Sequence, residues 1–276
     1  MLPESKPVVL VAEDHPVNRK VAGLLLDALG VHALLADDGR PAIALYQKER
    51  PALILMDIMM PVVDGFHAAK EIRRLEFGLG IQTPIIACTA LDETKIKEEA
   101  VSCGINDYLG KPYSRETLAA KIELWLGTKL PRTRTPITQV AQALANAVEE
   151  PMEGQRLRPS YGLEQLDDLL ALFLTVTETL LAQLDSAIQA QDVVAVRRLA
   201  HEIRSGSLMV DAKDIAEICV QLEQVTHNWP EVVKTYPALA LAFSKVREFA
   251  HKKQADGDAG VGLRPSQPSP KPASNY

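Results

Sequence analysis

Glu13-Asp14, Asp57, Thr89 and Lys111 each stand at or just past the end of a short apolar run: Val8–Ala12, Ala52–Met56, Pro84–Cys88 and Asp107–Leu109. If those runs are parallel strands of one open sheet, the residues meet at its carboxyl edge, where such sheets bind ligands. Three carboxylates brought together repel by about 1–4 kcal/mol per pair at ~4 Å, depending on the dielectric. A hard divalent cation offsets that, and Mg²⁺ is the usual occupant where the metal keeps waters and engages a phosphate. Lys111 would then meet one phosphoryl oxygen as a point charge, and Thr89 would offer a hydroxyl to another. The chemistry is phosphoryl transfer to a carboxylate, in which the protein positions the groups and absorbs charge.

A second reactive candidate is His201. At 100° per residue, Val196, Leu199, Ile203 and Val210 share one helix face and His201 lies opposite, with Arg197 and Ser205 within about 40° of it and Arg204 within about 60°. A solvent-facing imidazole flanked by guanidinium groups and a small residue suits phosphoryl transfer from a bulky partner. His15, His32, His67, His227 and His251 read as ordinary surface or loop histidines.

The elements that must position these residues fall into two sets. Over 1–128, five strand-like runs alternate with amphipathic helical stretches, which predicts a parallel sheet covered on both faces. Over 129–161, Pro131, Pro136, Pro151 and Pro159 mark a linker with a weak helical patch at Gln139–Val148. From 162 to 255 only helical periodicity remains: Leu166–Ala190, Val194–Val210, Ile215–Val225 and, after Pro230 and Pro237, Ala238–Lys252. Four helices with short connections predict an antiparallel bundle. The stretch 256–276, rich in Gly, Pro and Ser, is expected to be a disordered tail.

The motifs VAEDHPVN, LMDIMMP followed by DG, CTA and YLGKP, in that order, resemble the receiver domain of response regulators. The resemblance implies a flavodoxin-like α/β fold with strand order 2-1-3-4-5 and Asp57 as phosphoacceptor. It also implies Mg²⁺ on Glu13, Asp14, Asp57 and the backbone carbonyl of Met59. Thr89 and Lys111 match the phosphoryl-contacting positions, Thr89 and Tyr108 the switch positions, and Lys111-Pro112 the cis peptide. The stretch RRLAHEIRSGSLMVDAKDIAEICVQLEQ resembles the phosphoacceptor helix, and the helix after it, of histidine phosphotransfer (HPt) domains. Ala200-His201, Ile203, Ala212 and Leu222-Glu223 match; Arg204 replaces the usual Lys, Ser205 the first Gly and Asp211 the second. A receiver followed by an HPt domain resembles the carboxyl-terminal part of hybrid sensor histidine kinases.

Composition narrows the alternatives. With 47% hydrophobic and 24% charged residues the chain is of globular type, and 30 basic against 36 acidic residues argue against a nucleic-acid binder. Glu13-Asp14 would repel a flavin phosphate. Cys88, Cys103 and Cys219 are few and scattered, which fits a reducing, cytoplasmic location, and no continuous apolar run approaches membrane-spanning length. No ATP-lid glycine pattern is visible, so the phosphoryl group is expected from an upstream sensor histidine kinase and is passed through His201 to a downstream response regulator. The rival expectation is a receiver-gated interaction protein in which Asp57 controls partner binding and His201 is inert.

Overall fold

The computed structural model describes residues 6–89, 93–130 and 163–259. Its first part alternates β1 (Val8–Ala12), α1 (Pro16–Ala28), β2 (His32–Ala36), α2 (Gly39–Glu49), β3 (Leu53–Asp57), α3 (Gly65–Glu76), β4 (Ile85–Thr89), α4 (Glu93–Ser102), β5 (Asp107–Gly110) and α5 (Arg115–Leu126). The strands form one parallel sheet of order β2-β1-β3-β4-β5. β3 and β4 are buried along their whole length, which is why they read as unbroken apolar runs. Two buried clusters cover the faces: Leu10, Ile54, Met56 and Ile85 pack on one side, Val9, Val11, Leu53, Leu55 and Ile86 on the other. Asp38, Asp64 and Ser114 cap α2, α3 and α5 by accepting backbone N–H bonds, which fixes where those helices start.

The second part is a bundle of α6 (Leu163–Gln189), α7 (Val193–Met209), α8 (Lys213–Val225) and α9 (Trp229–Ala259). The α6 segment Asp168–Gln189 is long and apolar enough to cross a membrane by length and composition. Its Leu169, Phe173 and Leu184 are fully covered in the bundle core, which accounts for that composition. Asp192 caps α7 on the Ala195 amide. Asp211, in the turn between α7 and α8, has φ 58°, a left-handed conformation that Asp tolerates better than most residues. Asp211 thus adopts at this turn a conformation that glycine also favours.

The last helix differs from the sequence expectation of a start at Ala238. Pro230 sits in the first turn, where the missing N–H would have no partner anyway. Pro237 lies inside the helix. Both Pro237 and Val233, whose carbonyl loses its donor, are exposed, so water can take the vacancy. The helix also continues to Ala259, four residues into the stretch read as tail. The helical patch read at Gln139–Val148 and the rest of the tail lie outside the described residues.

The two parts are packed on each other. α1 lies against α6 and α7, and its Val17, Val21 and Leu25 belong to the same buried cluster as Leu169, Phe173, Val196 and Ile203.

Candidate functional site

Strand register builds the acidic pocket. Ala12 pairs with Met56, so Glu13 and Asp57 emerge side by side, and Asp57 pairs with Cys88, one residue before Thr89. Thr89 pairs with Gly110, which sets Lys111 next to it, and the Lys111 amide donates to the Thr89 carbonyl at 2.8 Å. The Lys111–Pro112 peptide is cis. Carboxylate oxygens of Glu13, Asp14 and Asp57 lie within 4.8 Å of one another. Lys111 Nζ is 2.5 Å from both Glu13 Oε2 and Asp57 Oδ2. The other oxygen of Asp57 accepts the Met59 amide at 3.0 Å, while the Met59 side chain points outward and is exposed. Arg19 donates to the carbonyls of Glu13 and Asp14 at 2.7 and 2.9 Å and so holds the loop after β1. Gly65 closes the pocket from below: a Cβ there would strike the Asp57 carbonyl oxygen and stand 2.9 Å from the Ile58 Cα.

The electrostatics follow from crowding anions beneath a protein surface. Burial pushes the Glu13 carboxyl up to about 7 despite Lys111, with Asp57 adding to the rise. Burial and Asp57 push Asp14 up to about 6. Lys111 is held well above the usual lysine range: its burial is outweighed by the two carboxylates it contacts. An all-oxygen donor set with surplus negative charge fits a hard cation such as Mg²⁺. Tyr108 lies half-buried at the edge of the cluster under α3 and α4, its amide on Asp107 Oδ1 at 2.8 Å.

His201 lies in the middle of α7 with its imidazole 41% exposed. Its Nδ1 is 3.4 Å from Glu223 Oε1 on α8, and Arg204 reaches the other Glu223 oxygen at 3.6 Å. Arg197 is exposed. Ser205, one turn beyond His201, accepts a 2.9 Å hydrogen bond from Asn18 Nδ2 on α1, and the same amide donates to Glu13 Oε1 at 3.0 Å. Glu202 is near enough to raise the Asp14 carboxyl by charge repulsion.

One sequence expectation is overturned. His15, read as a solvated loop residue, is 8% exposed, and neither ring nitrogen has a hydrogen-bond partner. The cause is tertiary: α7 covers the loop and brings the backbone of Gly206 against the ring. Burial, with Lys111 and Arg19 nearby, lowers its pKa to about 4. Asn18, Arg19 and Glu202 carry no role in the sequence reading, and Glu223 enters it only as a match to the HPt pattern. Asn18 did carry a signal, because it falls on the stripe of Val21, Ala22 and Leu25, where a polar side chain needs a buried partner.

Sheet order, acidic pocket and bundle together define a class, the signalling modules of two-component phosphorelays. By sequence, residues 9–123 match the response regulator receiver domain family, and residues 168–251 match the Hpt domain family. Over 117 residues the chain is 36% identical to the probable transcriptional regulator ycf27 of Galdieria sulphuraria, covering 42% of this chain and 44% of that protein. Over 235 residues it is 27% identical to the sensor histidine kinase GacS of Pseudomonas protegens, covering 84% of this chain and 25% of the kinase. The chain therefore spans less than half the length of these curated relatives. Among solved structures it is similar to the receiver domain of a sensor histidine kinase from Pseudomonas aeruginosa, which has a magnesium ion coordinated in its active-site cleft. The identity is 38%, the coverage 45% of this chain and 100% of that one, and the TM-score 0.42.

Proposed function

We propose that the chain carries two consecutive stations of a phosphorelay, with Asp57 receiving a phosphoryl group from an upstream sensor histidine kinase and His201 taking it on towards a downstream response regulator. The observation that carries this reading is the junction of the two parts. The helix bearing His201 rests on α1, and Ser205 joins through Asn18 to Glu13 in the acidic pocket.

In the first step an Asp57 carboxylate oxygen attacks phosphorus, and the bond from phosphorus to the donor breaks. Lys111, already on Asp57 Oδ2, meets the charge on the transferring group, and the Met59 amide holds the carboxylate in place. Thr89, buried at the end of β4, offers its hydroxyl to a phosphoryl oxygen, and Thr89 and Tyr108 carry the switch. Glu13, Asp14, Asp57 and the Met59 carbonyl would hold Mg²⁺, which when bound neutralises charge on the phosphoryl oxygens. In the second step the His201 Nε2 lone pair attacks phosphorus while Nδ1 keeps its hydrogen towards Glu223. The O–P bond breaks, Asp57 leaves as a carboxylate, and a phosphoramidate with one positive charge on the ring forms beside Glu223. Arg197 and Arg204 flank the moving charge.

The test is phosphorylation by a small donor such as acetyl phosphate in Mg²⁺. Wild type acquires hydroxylamine-labile label on Asp57 and base-stable label on His201. Asp57→Asn loses both, and His201→Gln keeps only the first. Hydroxylamine-labile label persisting in Asp57→Asn would overturn the assignment. A fully labelled Asp57 with no base-stable label would favour the reading in which Asp57 gates partner binding and His201 is inert.

A further inference from the structure

His15 and Gly206 meet where the receiver loop and α7 are pressed together, although 190 residues of sequence separate them. A Cβ placed on Gly206 would stand 2.6 Å from His15 Cε1, closer than such atoms approach, and 3.0 Å from Nε2, a tight contact. The ring is only 8% exposed, so making room would require it to move within packed surroundings. Gly206 itself is buried in the last turn of α7, where its missing side chain lets the helix backbone approach the ring. Its neighbour Ser205 is hydrogen-bonded to Asn18, so the contact is pinned on both sides of one helical turn.

We infer that the His15 ring and the bare backbone of Gly206 form a steric key that fixes the register of α7 on the receiver, and so selects this chain's own phosphotransfer helix, or one with glycine at that place, as the partner of Asp57. The key deepens the phosphorelay reading and rests on it. A helix with any side chain at the Gly206 position would stand off from the loop, which also carries Asp14. His201, one turn and one residue away on the same helix, would be displaced with it. His15 is a positioning residue in this scheme, since it touches the helix and not the reacting atoms.

The experiment uses the full chain with Gly206→Ala, Gly206→Val, His15→Ala and the double variant His15→Ala/Gly206→Val. Alanine and valine are both better helix formers than glycine, so the bundle itself is not weakened by the change of propensity. After phosphorylation by acetyl phosphate, Gly206→Val keeps the wild-type rate of Asp57 labelling. Its rate of base-stable labelling on His201 falls roughly tenfold or more, the scale of effect that overpacking a close contact produces. Gly206→Ala falls less. The double variant recovers to within about threefold of His15→Ala alone, because removing the ring makes the room the added side chain needs. Wild-type transfer in Gly206→Val, or a double variant no faster than Gly206→Val, would overturn the key. Amide resonances of Val17, Asn18 and Val21 on α1 provide a second readout that does not depend on transfer. They shift in Gly206→Val and return in the double variant if the key operates, and stay unmoved if it does not. A wild type that never labels His201 would defeat the relay and leave the key to be decided by those resonances.

Discussion

Asp57 is held at both carboxylate oxygens, by the Met59 amide on one and the Lys111 ammonium on the other, while Glu13 and Asp14 crowd it with negative charge. Lys111 neutralises only part of that charge, and on the proposed function Mg²⁺ would offset the remainder. Asp14 is the member of the set that the lysine does not contact within ion-pair distance among the described residues. Replacing it by alanine should therefore weaken Mg²⁺ binding roughly tenfold or more, at least the effect of losing a partner outside the coordinating set. Titration calorimetry of wild type and Asp14→Ala gives the comparison, and equal affinities would remove Asp14 from the metal site. Gly65→Ala probes the same pocket from the backbone. Its methyl has no room beside the Asp57 carbonyl and Ile58, so the loop carrying Met59 must move. We expect a loss of about 1–3 kcal/mol in denaturant stability, together with slower Asp57 labelling. A variant as stable and as readily labelled as wild type would show that the loop yields without cost.

Among the elements, a partly buried ion pair ties the edge of the sheet beyond β4. Arg73 on α3 donates to Glu76, to the Thr83 and Gly104 carbonyls and to Asn106 Oδ1, so the helix is tied to the start of β4 and the turn before β5. Glu76 is buried, but the Thr83 amide, the Tyr46 hydroxyl and Arg73 more than offset that burial and hold its carboxyl below the usual glutamate range. Because the folded value is the lower one, the stability Glu76 contributes is complete above about pH 4.5 and is lost as the pH falls through the folded value. Glu76→Gln should cost about 1.5–3 kcal/mol at pH 7, in line with hydrogen bonds to a charged group. The gap between variant and wild type in urea unfolding should close as the pH is lowered from 5 to 3. A gap independent of pH would assign the loss to packing instead. The elements themselves were legible where one strand or helix face decides its own burial: the unbroken runs of β3 and β4 announce a parallel sheet, and Glu13, Asp57, Thr89 and Lys111 at strand ends announce the pocket. The start of α9 was not, because proline is a probable rather than certain helix boundary and α9 runs on through the exposed Pro237.

Across the whole molecule, what the sequence could not disclose is the contact of its two halves. His15 looked solvated because nothing near it in the chain covers it; the helix that does begins at Val193. Asn18 is bonded across 187 residues to Ser205, and no local pattern encodes that distance. On the proposed relay this junction would let transfer occur within one chain: with α7 seated on α1, it would not wait for two domains to meet by diffusion. The measurement that tests this most directly starts from protein labelled on Asp57, freed of donor, and follows base-stable label on His201 over a hundredfold range of protein concentration. Transfer within one chain predicts that label appears on His201 as it leaves Asp57, with a first-order rate that does not change with concentration. A rate that rises in proportion to concentration, or label that leaves Asp57 only as free phosphate, would contradict it.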